Sequence, residues 1–318
     1  MTEQNTRLGI LLMVLTTLIF AAQDGISRHL AERYNVYMVV MIRYWFFAAF
    51  VIAVGSRRAG GIRAAAATAI PWLQAFRGVL LVAEICVMVL GFTILGLVET
   101  HAVFACYPLL VAALSGPVLG ERVGWRRWVA IGIGFLGVIV ILQPGFGVFR
   151  PEAVVPLVSA LMFALYALLT RYAGLRDSAA TSFFWTGTTG MVAMTAVGVW
   201  FWEPMQGPDW GWMALLCVTG ALGHYTLIRC YELAEASAVQ PFAYFQLPFA
   251  GLLGILVFGE TVRVNVAAGA ALIVAAGLFT LWRERQVKGR LKGKGRRPAG
   301  PQADPPFREG GGAQAKRP

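Results

Sequence analysis

The sequence predicts an all-α integral membrane protein, with ten transmembrane helices in two inverted five-helix repeats. Ten mostly apolar stretches of about twenty residues follow one another between Leu8 and Trp282, each long enough to cross a hydrocarbon core of about 30 Å. The composition agrees: 58% of residues are hydrophobic, 14% are charged, and the mean hydropathy is +0.66, beyond what a soluble core would bury. The second half also repeats pieces of the first at a nearly constant offset.

The spans run Leu8 to His29, Val36 to Gly55, Ile70 to Leu90, Val98 to Leu119, Arg126 to Leu142, Ala153 to Thr170, Ala180 to Trp200, Trp210 to Tyr231, Ala238 to Phe258 and Val264 to Trp282. Runs of Leu, Ala, Val and Gly without period-two alternation suit helices, whereas an outer-membrane strand is about ten residues of alternating polarity. Phe20-Ala21-Ala22-Gln23 gives the first span some likeness to a signal peptide. Its apolar run is too long, only Glu3 and Arg7 precede it as charges, and the repeat needs it as a span.

With a cytoplasmic N-terminus, the inner loops carry Arg57, Arg58, Arg63, Arg122, Arg126, Arg127, Arg171 and Arg176, and the outer loops little beyond Arg33, Arg150 and Arg263. That bias places both termini in the cytoplasm. Trp72, Trp125, Trp128, Trp200, Trp202, Trp210, Trp212 and Trp282 fall at span ends, where an indole prefers the interface. Of the net charge of +11, +8 lies from Arg283 onward, in a segment rich in Gly and Pro with almost no large apolar residue. Such a tail buries no core, so residues 284–318 are expected to be disordered and to meet anionic membrane lipids, not nucleic acid. Cys86, Cys106, Cys217 and Cys230 all fall inside spans without a CxxC pair, which reads as packing, with no disulfide framework, metal site or cofactor.

Leu119-Gly120-Glu121-Arg122-Val123 matches Phe258-Gly259-Glu260-Thr261-Val262 at an offset of 139, and Phe20 to Arg28 matches Phe163 to Arg171 at an offset of 143. Five spans per copy is odd, so the second copy enters the membrane from the opposite side, an arrangement from which transporters are built. The units are residues 1–145 and 146–283, followed by the tail. From residue 8 to 282, with Gly120-Glu121 and Gly259-Glu260 as its most recognisable pieces, the chain resembles the EamA family of ten-helix carriers in the drug/metabolite transporter superfamily. The resemblance implies transport of a small organic solute across the bacterial cytoplasmic membrane and does not name the solute.

Ionisable side chains within spans are costly, so each is a candidate for function. Glu84 in the third span and His224 in the eighth lie one residue from repeat equivalence, at comparable depth, and together can bind a proton or a charged solute. Arg77 and Arg229 sit nearer the cytoplasmic ends of the same helices, where anion selection and snorkelling both fit. Arg43 has no evident partner, and Asp24 reads as a local counter-charge for Arg28. Arg28 and Arg171 are repeat equivalents at opposite faces and so candidate gating residues.

Pro108, Pro241 and Pro248 remove donors inside the fourth and ninth spans, where kinks would expose carbonyls to a cavity. Beside them His101, Tyr107, Tyr244, Phe245 and Gln246, with Tyr166, Trp185 and Trp45 elsewhere in the spans, suit an amphipathic or ring-bearing solute. Gly132, Gly134 and Gly137 in the fifth span, and Gly269 and Gly277 in the tenth, allow close helix packing, within the bundle or across a homodimer.

A secondary carrier working by alternating access, proton-coupled or exchanging, is the reading that results. No Walker-type sequence is present, so ATP hydrolysis by this chain is not expected. The alternatives are an intramembrane enzyme acting on a lipid-linked substrate, against which His29, His101 and His224 are dispersed and no HExxH or serine-elbow sequence occurs, and a channel, for which no filter sequence is visible.

Overall fold

In the computed structural model the described residues are 5–57, 60–119, 125–142, 151–174, 176–233 and 242–294, and among them the regular structure is helical. Helix α1 (Thr6–Ala31) starts where the Asn5 side chain accepts the Leu8 N–H at 3.1 Å. Asn35 does the same for α2 (Val36–Ser56) by accepting the Tyr37 N–H at 2.9 Å. Each side chain satisfies a donor that the first helical turn leaves open. A short α3 (Gly61–Ala66) leads to α4 (Pro71–Phe104), which opens with a proline where the missing N–H costs nothing.

At 34 residues α4 is too long for one crossing, and Gly96, with φ 82° and ψ 175°, interrupts it. Residues 71–95 form the third span and residues 97–104 begin the fourth. After a turn at Ala105 and Cys106, α5 (Tyr107–Leu119) completes the fourth span with Pro108 in its first turn. The chain continues through α6 (Trp125–Leu142), α7 (Val154–Ala173), α8 (Ala179–Gly198), α9 (Asp209–Leu233), α10 (Gln246–Phe258) and α11 (Val264–Lys294). The ninth span turns at Tyr244 and Phe245, with Pro248 in the first turn of α10. The two turns are 139 residues apart, the offset of the Gly-Glu motifs. The expected kinks are therefore complete breaks just before Pro108 and Pro248, because a proline ring clashes with the preceding turn of a helix but sits without strain in a first turn. Pro241 and the motif at 120–123 lie outside the described residues.

Packing follows the repeat. α1 lies on α9 as α7 lies on α4, α1 on α10 as α7 on α5, and α2 on α9 as α8 on α4; the pairs α2–α8 and α6–α11 join equivalent spans directly. Exchanging the two halves exchanges these contacts.

The glycine faces are used within the bundle. A Cβ on Gly269 would lie 2.5 Å from the Gly137 carbonyl oxygen, and one on Gly137 would lie 2.7 Å from that of Gly269, so α6 and α11 meet backbone to backbone. Gly132 faces open space instead. Beyond the expected end of the tenth span, α11 runs on to Lys294, into the segment expected to be disordered. Most residues from Arg283 to Lys294 are good helix formers, and extending an existing helix needs no new nucleus. Residues 295–318 lie outside the described residues.

Gly269→Leu should destabilise the protein by about 1–3 kcal/mol or more, since the clash is with backbone that cannot rotate away. Gly132→Ala should leave the melting temperature unchanged or slightly raised. Thermal unfolding in detergent checks both, and equal melting of the two variants would contradict the α6–α11 joint.

Candidate functional site

A cavity lies at mid-depth between the halves, walled by Thr17, Phe20, Gln23 and Asp24 of α1, Arg43 of α2, Glu84, Met88 and Phe92 of α4, Tyr107 of α5, Phe163 of α7 and His224 of α9, with Gln246 at the start of α10. Its volume is about 90 Å³, whereas pockets that enclose drug-sized ligands measure roughly 300–1,000 Å³. A space of this size must widen to take such a solute.

Glu84 and His224 share this cavity. Glu84 is buried and accepts a hydrogen bond from the Ser159 hydroxyl of α7 at 2.6 Å. The His224 ring stacks parallel on Phe47 with centroids 5.8 Å apart and meets Phe20 edge-on at 5.3 Å. Arg43, without an evident partner in the sequence, also lines the cavity as a further ionisable group. Gly220 of α9 makes room for it: a Cβ there would lie 2.8 Å from Arg43 Nε.

Asp24 is not the counter-charge of Arg28. Its Oδ2 lies 3.1 Å from His101 Nε2 and accepts from Gln246 Nε2 at 3.1 Å. It turns inward, while Arg28 reaches Glu32 at 2.8 Å, lies over the Phe258 ring and pairs with Glu260. A smaller adjoining pocket is lined by His101, Tyr107, Tyr244 and Gln246.

Other candidates lie elsewhere. Arg77 is 1% exposed and donates to Gln74 and, at 2.9 and 3.1 Å, to Thr170, with Tyr166 beneath its guanidinium; it seals a joint between α4 and α7 instead of selecting anions at a cavity mouth. Trp185 donates to the Ala66 carbonyl at 3.0 Å, and Trp45 to Thr195 at 2.8 Å on the outer surface. Tyr166, Trp185, Arg171 and Arg229 do not line the cavity, and the last two are exposed.

Hydrogen bonds and ion pairs tie the two halves together at both faces of the bundle. At one, Glu260 accepts the N–H groups of Leu97 and Val98, each at 2.8 Å, and the Arg28 guanidinium. These are donors released by the break at Gly96. On the same face Tyr34 donates to Asp209 at 2.7 Å, which raises the phenol above its ordinary range, and Arg263 pairs with Glu99 at 2.7 Å. At the opposite face Asp177 accepts from Thr68, from Gln74 at 2.8 Å and from the Ala69 N–H at 3.3 Å. Burial opposes ionisation of Asp177, but these hydrogen bonds outweigh it and hold the carboxyl below its ordinary range. That contribution is present above the ordinary carboxylate range and is lost as pH falls through the lowered value.

Inverted halves with a cavity between them are an architecture from which membrane transport proteins are built. The model of the EamA-like transporter family matches residues 7–143 and 151–282, once in each half, and the chain belongs to that family. It transports a small metabolite across a membrane. The chain is similar to the S-adenosylmethionine uptake transporter of Rickettsia prowazekii (strain Madrid E), 25% identical over 285 residues that cover 87% of this chain and 94% of the relative. It is also similar to riboflavin transporters of Rhizobium johnstonii, 29% identical with 87% and 91% covered, and of Vibrio cholerae, 32% identical with 56% and 61% covered. A crystal structure at 16% identity superposes with a TM-score of 0.60 over 86% of this chain and 96% of that one, which supports the fold.

Glu260→Gln puts an amide NH₂ among donors, against Leu97, Val98 or Arg28. It should lower stability by about 1–3 kcal/mol. An unchanged melting temperature in detergent would remove Glu260 from the closure.

Proposed function

We propose that this protein is a secondary carrier, without catalysis of its own, that moves a small zwitterionic, ring-bearing metabolite through the central cavity by alternating access. The observation that carries this reading is that Glu84, Arg43 and His224, on helices from both halves, line one cavity. Arg43 suits a carboxylate, Glu84 an ammonium or sulfonium group, and Phe20, Phe92, Tyr107 and Phe163 a flat ring. S-adenosylmethionine, named for the Rickettsia relatives, carries all three features. Riboflavin, named for others, carries the ring but no permanent positive charge. The arrangement favours the former class.

In the orientation that the arginine distribution supports, both termini are cytoplasmic in a bacterial inner membrane. The Glu260 closure is then external and the Asp177 closure internal. Arg28 belongs to the external gate. Transport proceeds when one closure opens while the other holds, and the cavity widens on the open side. The repeat units are residues 1–145 and 146–283. Because Gly137 and Gly269 are engaged within one bundle, a single chain serves as the transport unit, with lipid around it.

Uptake of radiolabelled S-adenosylmethionine and riboflavin into proteoliposomes tests the reading. S-adenosylmethionine should enter unchanged, saturably and faster than riboflavin. Glu84→Gln and His224→Ala should reduce its uptake, Glu84→Gln by about 10- to 100-fold, the worth of a charge-assisted hydrogen bond of about 1.5–3 kcal/mol. Neither variant should lose thermal stability in proportion. Wild-type uptake by both variants across pH, or recovery of a modified product, would contradict the proposal.

A further inference from the structure

We propose that Asp24 and His101 together hold one transferable proton, and that its release loosens the Glu260 closure. His101 is buried, with Nδ1 2.9 Å from the Leu97 carbonyl oxygen and Nε2 3.1 Å from Asp24 Oδ2. A carbonyl oxygen only accepts, so the Nδ1 contact needs a hydrogen on Nδ1. An ionised carboxylate also only accepts, so the Nε2 contact needs a second hydrogen, either on Nε2 or on the carboxyl of Asp24. A neutral imidazole facing an ionised Asp24 supplies only one. Moving that hydrogen to the other ring nitrogen transfers the conflict to Leu97. Both contacts are satisfied only when the pair binds one proton more than that.

Among the described residues, no other hydrogen bond to the pair supplies the missing hydrogen. Gln246 already donates to the same Asp24 oxygen at 3.1 Å. Phe92 stacks on the other side of the His101 ring, its plane 8° from parallel with centroids 5.2 Å apart, and fixes the ring where it stands. Arg28, one turn along α1, is engaged by Glu260 and Glu32. Arg43 of α2, Glu84 of α4 and His224 of α9 share the cavity with Asp24, and Tyr107 of α5 and Tyr244 lie beside His101. None of them is hydrogen-bonded to Asp24 or His101.

The same atoms connect the pair to the closure. Leu97, whose carbonyl receives His101 Nδ1, gives its own N–H to Glu260. Gln246 begins α10, which ends at the turn that presents Glu260. Loss of the proton sets two acceptors against each other: His101 Nε2 and Asp24, 3.1 Å apart where α1 meets the fourth and ninth spans, or, in the other tautomer, His101 Nδ1 and the Leu97 carbonyl, 2.9 Å apart in the segment that Glu260 caps. Separation of those elements relieves the conflict and opens the Glu260 face. Coupling of this proton to solute movement rests on the carrier reading, but the proton site itself does not.

The test needs no solute. Spin labels replace Gln206 and Thr261, both exposed on the Glu260 face, in a background whose native cysteines are alanine, and their separation is followed in lipid nanodiscs between about pH 5 and about pH 9. The wild-type distance should widen as pH rises. Asp24→Asn gives a neutral His101 the donor it lacks, so that variant should keep the short distance throughout. His101→Gln, which can donate to Asp24 through its own amide, should also lose the response. A potentiometric titration of the same samples should find one proton fewer bound by each variant. Widening that persists in both variants at the wild-type pH, or no widening in the wild type, would overturn the proposal. Absence of S-adenosylmethionine uptake with the pH response intact would count against the carrier reading alone.

Discussion

One carboxylate holds the closed face together. The start of a helix leaves its first N–H groups without intrahelical partners. Glu260 takes two such groups, from Leu97 and Val98, and its negative charge stands at a helix N-terminus, where the peptide dipoles favour it. The geometry leaves little slack. A Cβ on Gly96 would lie 2.6 Å from the Glu260 carboxylate and one on Gly254 2.9 Å from it, while Gly259, with φ 65°, takes the left-handed turn that brings the side chain there. The second Gly-Glu motif is thus a capping device: its glycine makes the turn, its glutamate serves another helix, and Arg28 answers the charge.

The rest of the site follows from that cap. Because the fourth span can break at Gly96 and again before Pro108, residues 97–104 are free to hold His101 against Asp24 and to wall the cavity with Phe104. The closures at the two faces are related by the repeat but differ in chemistry. The loop after α1 reaches the start of α9 through Tyr34 and Asp209, and the loop after α7 reaches the start of α4 through Asp177, Thr68 and Gln74. Donor and acceptor have changed sides between the two joints.

Much of this was legible in the sequence because hydropathy and repeat offset are properties of single residues and their spacing. The helical class, the two five-span halves, the equivalence of the fourth and ninth spans, and the place of Glu84 and His224 on the lining of one cavity all derive from those. The partners of buried charges were not legible. Asp24 stands one turn from Arg28, which suggested a local pair, but helix rotation decides which face each side chain takes, and α1 turns Asp24 inward while Arg28 reaches another segment. Near the cytoplasmic end of its helix Arg77 fits anion selection and snorkelling equally well, and only packing shows Thr170 and Tyr166 of α7 engaging it. The glycines of α6 and α11 carried the right signal, close approach, and only packing shows that they meet each other. The capping role of Glu260 depends on a backbone break over 160 residues earlier, which no local pattern announces.

The central claim is that a single cavity between the halves is reached from each face in turn. Accessibility of a cysteine introduced at Thr17, on the cavity wall in a background without native cysteines, measures this most directly. A membrane-impermeant maleimide applied from either side of oriented vesicles should label it, with solute slowing the reaction from both sides. Labelling from one side only, whatever solute is present, would contradict the account.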